Sequence, residues 1–376
     1  MNSRLAAISP SLIRELNRRK QPGDIDLGLG EPLLPPDTSL LAAALGWLEQ
    51  NGCRYGPNAG LLEVRETMVR YLGYPGLEHP DQICLTNGAQ EAVFLAIKAI
   101  CDDQTDEMLI IEPTYPLYHK IAQLEAINVR NVSLPAADNF AFAADTILTA
   151  LQPQTRLIVL CSPCNPTARI ASEPMLDQLA TGLLALANPP WVLVDESYHE
   201  IFYTAQEPPR LAKHYPRTLV AGSLSKSNAL TGLRIGWLLA PLPVMPATLK
   251  IHQLLLTSAS IFGQRIVCEI LTRRLLTVHR PYYDEQRRSF TSLLERHGIP
   301  HLPPEGTFYV LAKLPTAWAH DSIKAAYHLL EKFGVVAIPG RAFGAAAEGY
   351  LRLSFVAPPQ LLEEGVARLS RFFAAS

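Results

Sequence analysis

Long apolar runs are missing from this 376-residue chain. Pro189-Pro190 and then Pro241, Pro243 and Pro246 interrupt its most hydrophobic stretches, so none reaches the ~20 residues that a membrane-spanning helix requires. Charge is scarce too, at 18% Asp, Glu, Lys and Arg, and it balances to a net −2. With no basic excess and no run of Lys or Arg interleaved with aromatics, nucleic acid is not an expected partner. The six cysteines (Cys53, Cys84, Cys101, Cys161, Cys164 and Cys268) are too few for a disulfide scaffold and fit a reducing compartment. Cys161-Ser-Pro-Cys164 has the spacing of a redox motif or half a zinc site, but no second Cys or His pair completes it, and both are read as core or loop cysteines. The start from Met1 to Lys20 lacks the apolar centre of a secretory signal. A cytoplasmic protein with an N-terminal helix packed on its body is the expectation.

What the chain has in quantity is apolar surface: 48% hydrophobic residues, enough for two domains with sizeable cores. Strand-like runs at Gln82 to Thr86, Met108 to Glu112, Arg156 to Cys161, Trp191 to Asp195, Thr218 to Gly222 and Ile235 to Ala240 alternate with helical stretches. That alternation predicts an α/β fold in which helices cover both faces of a mainly parallel sheet. Ligands of such sheets lie beyond the carboxyl ends of the strands. The polar residues that follow the runs should therefore converge: Asn87-Gly88-Ala89-Gln90, Tyr115, Asn165, Asp195 with Tyr198, and Ser223-Leu-Ser225-Lys226. After about residue 265 the pattern changes to amphipathic helices near Arg265 to His279 and Tyr282 to His297, then strand-like Thr307 to Leu314, Val335 to Ile338 and Tyr350 to Phe355. The expected organisation is a large domain over 38–264 and a smaller α+β domain built from 1–37 and 265–376.

The most informative stretch is Ser223-Leu-Ser225-Lys226 with Arg234 in Thr231-Gly-Leu-Arg-Ile-Gly-Trp237. One amine, two hydroxyls and one guanidinium suit a phosphorylated aldehyde held at both ends. A lysine beside small hydroxylated residues suits a Schiff-base nucleophile, because its pKa falls readily when it is desolvated; alone, it also fits a solvated surface lysine. Gly88-Ala89-Gln90 opens an apolar helix from Glu91 to Ile100, whose free N–H groups and dipole would face a phosphate, or else mark a plain turn and cap. Asp195 ends an apolar run, where a carboxylate needs a positive partner such as a pyridinium N–H, or serves as a helix cap. Tyr115 offers a ring to stack on, and Tyr198 and Asn165 offer hydrogen bonds to a ring hydroxyl; as single residues they also fit plain packing.

In order along the chain, Leu27-Gly-Leu-Gly-Glu-Pro32, Arg54-Tyr-Gly-Pro-Asn-Ala-Gly60 with Glu63-Val-Arg-Glu66, and Thr86-Asn-Gly-Ala-Gln90 are followed by Cys161-Ser-Pro-Cys-Asn-Pro-Thr167, Asp195-Glu-Ser-Tyr198, Ser223 to Arg234 and Leu351-Arg-Leu-Ser354. Over nearly its whole length the sequence resembles the fold-type I pyridoxal-phosphate enzymes, specifically the class I/II aminotransferases. The resemblance implies a pyridoxal 5'-phosphate (PLP) cofactor joined to Lys226, which would also move the proton between the substrate's Cα and the cofactor. It implies Asp195 on the pyridine nitrogen, Tyr198 and Asn165 on the ring oxygen, and Tyr115 stacked on the ring. Ala89, Gln90, Ser223, Ser225 and Arg234 would hold the phosphate, with Tyr55 reaching in from the second subunit of a homodimer. Arg352 would clamp the substrate's α-carboxylate, near Gly30 and Asn165. The implied reaction moves an amino group from an α-amino acid to a 2-oxo acid. Gly334-Val-Val-Ala-Ile-Pro-Gly-Arg-Ala-Phe343 also resembles relatives that cyclise or deaminate amino acids, so a PLP-dependent lyase, cyclase or deaminase is the alternative, and a non-catalytic PLP-binding regulator a remote one. Ala168 departs from the family, which usually has glycine there, and Ala89 stands where Gly or Ser is common. Arg14, Arg18, Arg19 and Arg341 read as solvated surface arginines or, in the alternative, as a second anion site that the sequence does not place.

Overall fold

In a computed structural model describing residues 5, 8–102 and 105–375, every expected strand-like run carries a strand. The strands are β1 (Ile25–Asp26), β2 (Ile83–Thr86), β3 (Glu107–Glu112), β4 (Asn128–Ser133), β5 (Thr155–Cys161), β6 (Trp191–Asp195), β7 (Thr218–Ser223), β8 (Gly236–Leu239), β9 (Tyr309–Lys313), β10 (Val335–Val336), β11 (Ile338–Pro339) and β12 (Tyr350–Ser354). Seven of them form one sheet in the order β2-β8-β7-β6-β5-β3-β4. Strands β7, β6, β5, β3 and β4 run parallel, and β8 is antiparallel to both of its neighbours.

Side chains alternate across a strand, and here both faces are apolar. Met108, Ile110, Leu157, Val159 and Leu193 pack under helices Ala89–Ile100 and Leu117–Glu125, whereas Leu109, Ile111, Ile158, Leu160, Val192 and Val194 pack under Ala144–Ala150 and Glu173–Leu184. Burial on both faces makes these runs continuously hydrophobic, which is why they stand out in the sequence. Strand β4 does not: it is an edge strand, largely exposed, and its sequence Asn-Val-Arg-Asn-Val-Ser has no continuous apolar run.

The second sheet has the antiparallel order β11-β12-β9 and packs with helices Arg280–Arg296, Ser322–Phe333 and Pro359–Ala374. The N-terminal segment joins it, because β1 pairs with β10 and Ser354 N donates to Leu27 O at 2.6 Å. The division expected at 264/265 falls inside helix Ile261–Thr272, which packs against Thr38–Asn51 and Leu62–Leu72 beside the large sheet. The expected N-terminal helix occurs at Leu12–Arg19; residues 1–4 and 6–7 of that stretch lie outside the described residues. Among the described residues, no helix is long and apolar enough to cross a membrane.

Candidate active site

The carboxyl ends of β5, β6 and β7 face β9 and β12 across a cavity of about 260 Å³. Ser223 closes β7 and turns the chain: its Oγ donates to Ile235 O at 3.0 Å, lies 2.7 Å from Ser225 Oγ, and accepts from Ser225 N at 2.9 Å. That turn delivers Lys226 to the cavity, where Nζ donates to Gly30 O. Burial lowers the Lys226 pKa to about 8, with the positive charges of Arg352 and Arg234 adding to the shift and Glu31 opposing it.

Asp195, at the end of β6, is buried and held on both oxygens. Tyr118 OH donates to Oδ2 at 2.7 Å, and Ser197 donates to Oδ1 from N at 3.0 Å and from Oγ at 2.6 Å. These partners are neutral, so a cationic N–H in the cavity would supply the counter-charge a buried carboxylate needs.

Helix Ala89–Ile100 begins beside Ser223 with no side chain capping it, which leaves first-turn N–H groups for a ligand. Gly88 precedes it at φ +83°, and a Cβ there would lie 2.5 Å from Arg234 Nη2, so only glycine lets the guanidinium lie against the helix start. Arg234 Nη1 donates to Thr231 O at 2.9 Å. Amides, hydroxyls and a guanidinium thus gather at one end of the cavity, a donor set suited to a phosphate.

Arg352, on β12, is 2% exposed. Nη1 donates to Asn165 Oδ1 at 2.9 Å and Nη2 to Gly28 O at 2.8 Å, while Nε is buried with no protein partner. The guanidinium lies 4.1 Å from the centroid of the Tyr309 ring and 4.9 Å from that of Phe343. A buried guanidinium that lines the cavity and keeps an N–H without a protein partner is suited to an anion. Tyr198 OH lies 2.9 Å from Tyr309 OH, and the Tyr115 ring stands edge-on to Tyr118 with centroids 6.3 Å apart.

Gly30, Ala89, Gln90, Tyr115, Asn165, Asp195, Tyr198, Ser223, Ser225, Lys226, Arg234 and Arg352 all line this one cavity. Tyr55 does not; it projects from the body and is 92% exposed. Sequence reasoning missed Tyr118, Ser197, Thr231, Tyr309 and the apolar Ile13 and Leu117. Ser197 and Thr231 stand inside the quoted motifs Asp195-Glu-Ser-Tyr198 and Thr231-Gly-Leu-Arg234, which drew no role for them; nothing marks Tyr309, Ile13 or Leu117, and Tyr118 comes three residues after Tyr115. Cys161 and Cys164 are buried and free, with Cys164 Sγ donating to Pro113 O at 3.4 Å, and among the described residues no cluster could hold a metal ion. Ala168 sits at φ +58°, the left-handed conformation that explains glycine as the usual residue there. Of the unplaced arginines, Arg14 and Arg18 line an open cleft next to the cavity with Lys120, and Arg19 pairs with Glu15 at 3.1 Å. Arg341 lies in the turn Gly340–Phe343, and its backbone N donates to Ser322 Oγ at 3.2 Å.

Known proteins resemble this chain over nearly its whole length. The family described as aminotransferase class I and II matches residues 22–369. An aspartate aminotransferase of Pyrococcus horikoshii is 30% identical over 98% of this chain and 96% of its own, and a putative aminotransferase of Bacillus subtilis, YugH, is 32% identical over 93% and 92%. The aspartate aminotransferase of Thermus thermophilus solved with maleate superposes with a TM-score of 0.91 at 28% identity, covering 99% of each chain. The chain belongs to the class I and II aminotransferases and is a PLP-dependent enzyme that transfers amino groups.

Proposed function

We propose that this enzyme moves the amino group of an α-amino acid to a 2-oxo acid, with Lys226 as its catalytic base and acid and Arg352 as its carboxylate clamp. The observation that carries this reading is the meeting of a desolvated lysine amine and a buried, partly unpaired guanidinium in one cavity. Ala89, Gln90, Ser223, Ser225 and Arg234 would hold the phosphate end of PLP. Asp195 would pair with the ring nitrogen, Tyr115 would lie against the ring, and Tyr198 and Asn165 would donate to its oxygen. Asn165 can do so because its amide oxygen is already used by Arg352.

Bound there, PLP supplies an aldehyde that takes up amino groups and a ring that draws electrons from the carbon carrying them. Arg352 fixes the substrate by its α-carboxylate through paired charge-assisted hydrogen bonds. Lys226 takes the proton from Cα and returns one on the other side of the transfer, a task suited to a group whose pKa of about 8 is near working pH. The apolar walls at Ile13, Tyr115 and Leu117 limit water around the reacting carbon.

The test is a screen of amino acids against pyruvate, 2-oxoglutarate and oxaloacetate. Paired amino and oxo products are expected; ammonia release in their place would make the enzyme a lyase or deaminase. Borohydride reduction of the loaded protein should leave the cofactor on the Lys226 peptide. A label on another lysine overturns the site.

We further infer a cytoplasmic homodimer in which Tyr55 completes the partner's phosphate site, and a chain divided near 264/265 into units flanking the cavity. Supporting the dimer, Tyr55 and Leu254 are 92% and 88% exposed, and Asn58 ties the Tyr55 loop to the Leu254 helix by donating to Leu249 O at 2.8 Å. Exposed apolar groups on neighbouring elements are a usual mark of an interface. Mixed Tyr55→Phe and Lys226→Ala subunits should show more activity than the two preparations assayed apart, since one heterodimer site is then unmutated. An active monomer in sedimentation at assay concentration excludes the arrangement.

A further inference from the structure

We propose that Tyr309 is a positioning residue with two separate functions: its hydroxyl sets the hydrogen-bond donor that Tyr198 presents to the cavity, and its ring seats the Arg352 guanidinium. The inference rests on the reading above, in which Tyr198 meets the cofactor's ring oxygen and Arg352 the substrate carboxylate.

Tyr309 opens β9, which pairs antiparallel with β12; its direct partner is Ser354, and Arg352 lies on the diagonal, within reach of an aromatic ring. The ring centroid is 4.1 Å from the guanidinium carbon, so the π face supports the cation while Asn165 and Gly28 fix it at its ends. The hydroxyl reaches the turn that follows β6 and stands 2.9 Å from Tyr198 OH. Two hydroxyls bring two hydrogens. One is shared between the oxygens, and the other is left for a ligand oxygen in the cavity that both residues line. With Tyr309 supplying the shared hydrogen, Tyr198 keeps its own for the ligand, and the bond it accepts polarises it into a stronger donor.

Gly30 leaves room for this contact. A Cβ at position 30 would lie 2.5 Å from Tyr309 OH, and the same residue's carbonyl receives the Lys226 amine. Through one side chain, Tyr309 therefore touches the N-terminal segment, the tyrosine in the turn after β6 and the small-sheet arginine. Filling the core needs only the ring, as in phenylalanine, so the hydroxyl is the part that a packing role leaves unexplained.

Two substitutions separate the functions in the PLP-loaded enzyme. Tyr309→Phe keeps the ring and removes the hydroxyl. Negative charge on the cofactor's ring oxygen is then less stabilised, so the pH at which the bound cofactor loses a proton, read from its visible absorbance, should rise by roughly 0.5 to 1 unit. KM for the amino acid should stay within about 2-fold, because Arg352 keeps its seat. Tyr309→Leu should give the same shift and also raise KM for the amino acid by roughly 10-fold, with little change for the corresponding decarboxylated amine. A Tyr309→Phe midpoint equal to that of the parent overturns the hydroxyl's role, and a Tyr309→Leu loss equal on amino acid and amine overturns the ring's. Tyr198→Phe is the control for the underlying reading. If it too leaves the midpoint unmoved, the placement of the ring oxygen at Tyr198 is wrong; if it alone shifts the midpoint, only the part given to Tyr309 fails. Should Tyr309→Leu not fold, Tyr309→Phe still decides the first part, and Tyr309→Trp, which keeps an aromatic face, takes its place for the second by retaining the amino-acid KM.

Discussion

Lys226→Ala should lower kcat by at least about 10⁴-fold while the protein stays folded and still takes up PLP, because the substitution removes both the covalent anchor and the proton carrier. Cofactor retention follows from the separate phosphate end, where Ser223, Ser225, Arg234 and the start of helix Ala89–Ile100 are untouched. Single-turnover assays with preloaded protein are the measurement. A variant within about 100-fold of the parent would assign the proton to another group.

The same lysine makes a stability prediction for the cofactor-free protein. Its folded pKa of about 8 lies below the unfolded 10.5, so between these values the unfolded chain binds more protons and stability rises with pH. Below pH 8 the charge is buried at full cost; near pH 10.5 that cost has gone. Relative to Lys226→Ala, the parent's unfolding free energy should therefore climb by up to about 3 kcal/mol across this window. A flat difference in denaturant titrations at pH 7.5 and 10.5 would show that the amine is not desolvated.

Arg352→Ala carries the second large effect. Losing a charge-assisted, two-pronged pair in a closed site removes about 2 to 4 kcal/mol of transition-state stabilisation, or roughly 30- to 1000-fold in kcat/KM. Arg352→Lys should recover little, since one ammonium cannot satisfy Asn165 Oδ1, Gly28 O and a carboxylate with the guanidinium's planar fork. Cofactor binding should barely change. Assaying an amino acid beside its decarboxylated amine is decisive: equal losses on both, or none on either, would show that Arg352 does not read the carboxylate.

How much of this was legible in the sequence depended on burial and on reach. The central strands were readable because helices on both faces force continuous apolar runs, whereas β4, exposed at the edge, leaves no such trace. The residues that line the cavity were readable because strand ends point the same way: Asn165, Asp195 and Ser223 each follow or end a parallel strand. Tyr118 and Tyr309 were not, because each matters through a hydrogen bond to another side chain, and these pairings span 77 and 111 positions for Tyr118 with Asp195 and Tyr198 with Tyr309. The end of helix Ile261–Thr272 was likewise hidden: its amphipathic pattern signals a helix but does not say which sheet it covers.

The bond from Arg352 to Gly28 O joins residues separated by 324 positions, and β1 meets β10 in the same region. During synthesis the phosphate cradle from Ala89 to Arg234 can assemble long before the ribosome reaches Arg352. The proposed carboxylate clamp cannot, since it needs the first strand, Asn165 and β12 together. On the proposed roles, a nascent chain can thus form its own part of the cofactor's place before it has any means of holding an amino acid, and the clamp is complete only when the two distant ends of the polypeptide have met.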